Sequence, residues 1–324
     1  MNKTNLGIID WLLSESRSMV TKTYPDFDSF RQAFYTESES WEDPVDRAVV
    51  GGFVSNCIAF AFAAGYCSAL QSLVPVLPKN AITCFCITEE GGGHPRVIKS
   101  QLVPLLNDAD QGKTFTLNGK KKYITCAKEA DLFLVAASDG IRDDGKNSIR
   151  MIKIDSKTPG IKIVPMKDIR LVPEISHGEL IFTDVTIFET DLLPGDGYID
   201  YIKPFRTIED LHISAGILGY LFRNACKYDW DRDIKESILS RIVSVRNLAL
   251  SSSSAPEVHI VIGDVLKQIK ELFKLLEPFW EKVGGEAKQA WDRDKTLMNI
   301  ADKARTRRLQ TAWEFYEKKR TGNA

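Results

Sequence analysis

The residues with chemical capacity fall into three sets. The first is Gly91-Gly92-Gly93 followed by His94: three residues without Cβ let a ligand approach the backbone closely. The run lacks the GxxxxGK[ST] spacing of a phosphate loop, and a lone histidine such as His94 is most simply structural. The second set is carboxylates. Glu209 stands among Ile208, Leu211 and Ile213, and a carboxyl facing such apolar surroundings gains basicity. Its plainer reading is a helix N-terminal acid that complements the macrodipole. Asp302 stands three residues before Arg305, the spacing of a solvated helical ion pair. The third set is the cysteines Cys57, Cys67, Cys84, Cys86, Cys126 and Cys226. Cys84 and Cys86 fall on one face of a strand, but their spacing is poor for zinc and no second Cys/His pair complements them. Buried, reduced thiols are the expected state.

The elements that must position these residues come in blocks. Leu6, Ile9, Leu12 and Leu13 recur at helical spacing, and Asp26, Asp28 and Ser29 offer caps before Phe30, Ala33 and Phe34. An uncharged stretch from Ala48 to Pro78 reads as one long helix, stopped by the Pro75 to Pro78 cluster. Strand texture follows at 82–88. Thr114–Leu117 and Lys120–Thr125 read as a hairpin about an Asn118-Gly119 turn. Further strands are expected at 131–137, 149–154, 161–165 and 178–182. After Pro194-Gly195-Asp196-Gly197 helices return at 208–228, 233–250, 258–276 and 294–319, with Gly216 and Gly219 permitting close packing. Segregated blocks predict an α+β multidomain fold rather than an alternating one. The expected domains are 1–80, an N-terminal helical domain; 81–195, a central β-barrel or sandwich; and 196–324, a C-terminal helical bundle.

The 324 residues are 27% charged and 44% apolar with a formal net charge of -1, which excludes a general nucleic-acid surface. The 48–78 segment could span a bilayer by length, but Ser55, Asn56, Ser68, Gln71, Ser72 and three glycines argue for a helix buried in a bundle. Met1-Asn2-Lys3, reaching Asp10 and Glu15 soon after, shows no secretory h-region, so a cytoplasmic location is expected.

Several segments, in order, resemble the acyl-CoA dehydrogenase superfamily. Phe85-Cys86-Ile87-Thr88-Glu89-Glu90-Gly91-Gly92-Gly93 is similar to its Thr-Glu-Pro segment with two glycines. Leu117-Asn118-Gly119-Lys120-Lys121-Lys122-Tyr123-Ile124-Thr125 resembles its Asn-Gly-x-Lys-x-Trp/Tyr-Ile-Thr. Gly160-Ile161, Ile181 to Val185 and Leu193-Pro194-Gly195 resemble later strands and an exit loop, and Glu209 to Gly219 the first helix of its C-terminal domain. The likeness runs from about residue 82 to 222.

The resemblance implies FAD, an acyl-CoA or acyl-carrier thioester substrate, an electron-acceptor flavoprotein, a role in fatty acid metabolism, and a homodimer or homotetramer. It places Ile87 and Thr88 at the flavin ring edge, Tyr123 against the ring and Thr125 near N5; otherwise these are strand threonines and a core aromatic. It places Gly93 and His94 beside the ligand, His94 where the family often has serine. The reaction removes a weakly acidic α-proton with a carboxylate and passes a hydride to the flavin. Glu209 occupies one of the two family positions for that base. Asp302, counted from Arg293-Asp294, occupies the other, without the Gly-Thr that follows it.

The sequence departs from the family at marked points. Asp210 replaces an arginine, the N-terminal helical part is short, and no Arg-x-x-Phe-Gly occurs between Tyr228 and Leu250, where Arg232, Arg241 and Arg246 stand instead. Two alternatives therefore accompany the dehydrogenase: a flavin-dependent monooxygenase of the same fold, and a non-catalytic paralogue that has lost FAD and acts as a partner subunit. Basic residues of the last helix, Arg305 to Arg320, are either a solvated face or an attraction for CoA phosphates. Trp280, Trp291, Trp313 and Phe315 read as core or subunit-contact residues.

Overall fold

Alternation of apolar residues and β-branched texture build one curled sheet, and 3.6-residue periodicity builds ten α-helices among the described residues. The computed structural model describes residues 6–105, 113–166 and 169–322, without the side chains of 15–19, so Met1-Asn2-Lys3 lie outside the described residues. Packing divides the chain into a helical unit (Met1–Ser72, Arg170–Glu174, Thr207–Ala324) and a β-unit (Leu73–Ile169, Ile175–Arg206).

The β-unit holds β1 (Thr83–Cys86), β2 (Gln101–Pro104), β3 (Thr114–Thr125), β4 (Leu132–Ile141), β5 (Asn147–Asp155), β6 (Ile161–Pro165) and β7 (His177–Phe188). Their order is β1-β4-β2-β3-β7-β6, with β5 paired to β4. β4 is covered on both faces: Phe133, Leu134, Val135, Ala136 and Ala137 are all fully buried, as a continuous apolar strand requires. The path curls on itself. Just past β1, the Thr88 carbonyl accepts a hydrogen bond from Lys122 N of β3 at 2.7 Å.

The expected hairpin at Asn118-Gly119 is instead one continuous strand, β3, paired along its length with β7. Asn-Gly serves a bulge, with a register shift between Leu117 and Gly119 and φ of 150° at Gly119. The Asn118 amide explains the choice. Its Nδ2 donates to Asp184 Oδ1 at 3.0 Å and its Oδ1 accepts from Asp184 N at 2.8 Å. That cross-strand latch replaces the local turn that the dipeptide alone would make.

The helical unit contains α1 (Gly7–Met19), α2 (Phe27–Ser38), α3 (Pro44–Val54) and α4 (Ile58–Leu73), then most of α5 (Lys203–Lys227), α6 (Arg232–Ala249), α7 (Pro256–Leu275), α8 (Glu277–Val283), α9 (Gly285–Asp294) and α10 (Asp302–Arg320). The uncharged stretch is two helices, not one. Ser55 is extended, its N–H bonds the Gly51 and Gly52 carbonyls, and its hydroxyl donates to Gly52 O at 2.7 Å. A serine hydroxyl that competes for helix carbonyls ends the helix there. No helix among the described residues is long and apolar enough to cross a membrane.

Glycines set the approach of α5. A Cβ on Gly52 would lie 1.8 Å from the Gly216 carbonyl oxygen, and one on Gly216 would lie 2.5 Å from that of Ala61, so α3 and α4 meet α5 backbone to backbone. The expected single helix over 294–319 is shorter. Lys295–Asn299 is a 3₁₀ turn and α10 starts at Asp302, while α8 and α9 bring Trp280 and Trp291 into a stacked pair at 5.0 Å in the core. Trp313 and Phe315, by contrast, are exposed.

Candidate functional site

In the β-unit the curl of β1 towards β3 gathers the sequence-picked residues. Lys122 N to Thr88 O puts Thr88 beside Tyr123, and four residues back along β1 the Cys84 thiol reaches the Thr125 carbonyl at 2.9 Å. The two segments therefore run antiparallel, 84–88 against 122–126. A second register shift between Lys121 and Ile124 turns Tyr123 to φ 58°, and its ring is 61% exposed rather than in the core. Thr88 and Thr125 are half-buried, and among the described residues neither hydroxyl has a hydrogen-bond partner. Ile87 is buried. Gly93 lies against this segment: a Cβ there would meet Ile87 Cγ2 at 3.3 Å and Thr88 Oγ1 at 3.6 Å.

Beneath this surface lies a pair that sequence reasoning missed. The Lys121 ammonium, wholly buried, contacts Glu89 Oε1 at 2.7 Å and the Ile87 carbonyl at 3.3 Å. Glu89 also accepts from Ser100 N and Oγ and from Lys99 N, at 3.0, 2.8 and 2.8 Å. Burial works against the Glu89 carboxylate, but Lys121 and the two backbone N–H groups outweigh it and hold the carboxyl below its usual range. In the sequence Lys120-Lys121-Lys122 looks like a solvated run. The available signal was phase: Lys121 shares the strand face of the buried Leu117.

His94 is exposed, and its Nδ1 accepts from Arg96 N at 3.2 Å, capping a 3₁₀ turn at Pro95–Val97. Its ring lies 6.1 Å from that of Tyr198. Both line an open crevice of about 890 Å³ in the β-unit, with Arg96, Lys99, Arg142 and Lys146 among its cations. Arg142 and Lys146 are paired with Asp196 and Asp144. Arg96 and Lys99 have no ion-pair partner among the described residues.

The two candidate bases lie in the helical unit. Glu209 is half-buried near the start of α5, between the buried Asp210 and Thr207. Asp302 opens α10, and Lys270 Nζ reaches both its oxygens at 2.6 Å, with Arg305 at 3.2 Å. Burial pushes the Asp302 carboxyl up, but these two cations prevail and hold it below the ordinary range. Asp210, where the resemblance leads one to expect an arginine, is itself held by arginines. Arg305 donates to its Oδ1 at 2.7 and 3.1 Å and Arg308 to its Oδ2, while Arg308 also bonds Thr207 Oγ1 at 2.8 Å. Two basic residues of α10 are thus committed inside the unit. Of the arginines standing in place of Arg-x-x-Phe-Gly, Arg246 makes a two-point pair with Asp46 at 2.7 and 2.9 Å, and Arg241 bonds Ser237 and Gln268 carbonyls. All six cysteines are free thiols, and no group of three or more His, Cys, Asp or Glu among the described residues could hold a metal ion.

Residues 84–185 match the family described as acyl-CoA dehydrogenase, middle domain. The probable short/branched chain specific acyl-CoA dehydrogenase of Dictyostelium discoideum is 30% identical over 161 residues, 48% of this chain and 37% of that protein. The chain thus aligns with little more than a third of that relative's length. Among solved structures, butyryl-CoA dehydrogenase from Megasphaera elsdenii superposes with a TM-score of 0.66 at 17% identity, over 97% of this chain and 100% of that one. A glutaryl-CoA dehydrogenase from Mycobacterium smegmatis in complex with FADH2 gives 0.68 at 13% identity, over 95% and 94%. The fold, a central sheet with helical regions before and after it in the chain, is that of the acyl-CoA dehydrogenases.

Proposed function

We propose, from the premise that this chain is a short and partly divergent member of the acyl-CoA dehydrogenase superfamily, that it carries out FAD-dependent α,β-dehydrogenation of an acyl-CoA or acyl-carrier thioester. The observation that carries this reading is the Thr88–Lys122 backbone bond. It closes 84–88 onto 122–126, with Thr88 and Thr125 half-buried and Tyr123 exposed on the two facing segments. Partnerless hydroxyls at a strand surface are donors for a ring with acceptor edges. A Cβ on Gly93 would press on Ile87 Cγ2, so the glycine lets the turn before His94 pack close against 87–88, the segment proposed to meet the cofactor. These residues fit a flavin: Ile87 and Thr88 at its edge, Tyr123 against its face, Thr125 near N5, Gly93 and His94 beside the ligand. The match of the middle-domain family and the FADH2 carried by the Mycobacterium smegmatis enzyme support FAD.

When bound, the flavin supplies the hydride acceptor. The chain itself binds and orients the thioester and takes up the α-proton. Glu209 is the base in this reading. Asp302 is the second candidate, and its contacts with Lys270 and Arg305 weaken it, because a carboxylate held by two cations is a poor proton acceptor. Arg96 and Lys99, at the rim of the crevice that also holds the His94–Tyr198 pair, suit the phosphates of CoA. The three-domain division, a homo-oligomeric state and an electron-acceptor flavoprotein belong to the same proposal.

The test is optical. Protein purified or reconstituted with FAD should be yellow and lose its visible flavin band on anaerobic addition of an acyl-CoA series. Glu209→Gln should keep the colour and slow bleaching at least a thousandfold. Bleaching at the wild-type rate in that variant removes Glu209 from the scheme. A protein that remains colourless after FAD is added rules out the flavin itself.

A further inference from the structure

Burying an ammonium and a carboxylate together costs several kcal/mol, and apolar side chains of equal size often serve stability as well or better. The Glu89–Lys121 pair therefore needs a reason beyond holding the sheet together. What it touches supplies one. Lys121 Nζ binds the Ile87 carbonyl, and Glu89 is the residue after Thr88, so the pair grips the chain on both sides of Thr88. On β3, Lys121 is the last residue in register with β7 before the shift that turns Tyr123 to positive φ. Glu89 is held in turn by Ser100 and by Lys99 N, in the segment just before β2. One buried ion pair thus joins three segments, and the surface carrying Thr88, Tyr123 and Thr125 is built from two of them.

We infer that Glu89 and Lys121 are a positioning pair that sets the geometry of the Thr88–Tyr123–Thr125 surface for its planar cofactor, touching the cofactor with neither side chain. The inference rests on the flavin reading above. Fixed geometry is what such a surface requires, because displacement of a donor by about 1 Å loses most of a hydrogen bond and its orientation. An apolar pair in place of the ions fills the space but gives the Ile87 carbonyl no donor, so residues 87 and 88 relax.

The experiment compares wild type, Lys121→Met, and the double variant Lys121→Met with Glu89→Gln. In the double variant no charge is left unpaired; the glutamine oxygen still accepts from Ser100 N and Oγ, and only the Lys99 N–H, which bonds the other carboxylate oxygen, loses its acceptor. Each is titrated with FAD by flavin fluorescence, its bound-flavin absorption and circular dichroism are recorded, and its thermal midpoint is measured without flavin. The expected result is a double variant that melts within a few degrees of wild type, binds FAD at least tenfold more weakly and shows an altered flavin dichroism band. If Lys121→Met alone does not fold, the double variant decides the matter. A double variant with wild-type FAD affinity and spectrum overturns the inference while leaving the flavin reading intact. A wild type that takes up no FAD sinks that reading and the inference with it.

Discussion

His212 faces inward from α5, its side chain 1% exposed, and its Nδ1 lies 2.8 Å from the Ile208 carbonyl, so that nitrogen must be the donor. Burial drops its pKa from the usual 6.5 to about 4. The unfolded chain then takes up a proton at a pH where the folded chain does not. The stability tied to neutral His212 is complete above the unfolded value and is lost as pH falls from about 6.5 towards 4, at about 1.4 kcal/mol per pH unit. Between pH 7 and pH 5, wild type should lose about 2 kcal/mol more in urea unfolding than His212→Gln does. Equal pH responses would mean that the ring titrates alike in both states. Arg223 poses a different problem at the same scale. It is 1% exposed and its guanidinium donates to the carbonyls of Phe53, Val54, Val20 and Lys22, at the ends of α3 and α1. A planar five-donor group can serve carbonyls in two directions at once, and a single ammonium cannot. Arg223→Lys should therefore cost on the order of 3 kcal/mol in urea unfolding, the loss of charged hydrogen bonds from buried acceptors. A cost below about 1 kcal/mol, the size of one neutral hydrogen bond, would show that water replaces the missing donors.

Elements meet where side chains are missing, and the α3–α5 crossing is the sharpest case. Gly52→Ala would drive a methyl into the Gly216 carbonyl, with backbone on both sides and no flexible side chain to yield. Gly92→Ala offers a contrast, with φ 106° but nothing within 4 Å, so it carries backbone strain alone. The expected costs are about 3 kcal/mol or more for the crossing and about 1–2 kcal/mol for the turn, read from thermal or urea midpoints. The reverse order would mean that the helices can separate freely. The same elements show what the sequence made legible. Periodicity placed the block order, β6 to the residue and the bodies of α5, α6 and α7, because those depend on nearest-neighbour pattern. It missed the break at Ser55, which depends on one hydroxyl choosing the Gly52 carbonyl, and the bulge at Asn118, which depends on a partner 66 residues away. It missed α8 and α9 because short helices around Gly284-Gly285 leave too few turns for a period to register. At the candidate site it was the family resemblance, not periodicity, that picked out the exposed residues Tyr123 and His94, and both readings passed over Glu89 and Lys121. A buried ion pair written as charged runs looks like surface until its partner is known.

Across the helical unit two buried acids, Asp46 and Asp210, are matched to arginines far away in the chain, and the match of Asp210 bears most on the proposed chemistry. Asp210 is 5% exposed and is held by Arg305 and Arg308, from a helix that starts 92 residues later. α10 is fastened at further points along α7, by Lys270 to Asp302 and by Tyr316 to Glu257. On a helix, adjacent residues point about 100° apart, so turning Asp210 towards α10 also fixes the direction of Glu209. The chain in this way buries an acid and supplies the counter-charge from α10. Asp210→Asn removes the charge that two arginines share. Hydrogen exchange over 302–320 should then rise at least tenfold, and the folded state should lose about 2–3 kcal/mol, less than for a fully buried pair because both arginines are partly solvated. If Glu209 is the base, the same variant should slow flavin bleaching while leaving FAD binding unchanged, because it disturbs aim rather than cofactor contact. Restoring a charge with Asp210→Glu should recover helix protection but only part of the rate, since the longer side chain rotates the start of α5. Unchanged exchange in Asp210→Asn would assign the docking of α10 to its contact between Leu309 and Gly263 on α7 instead.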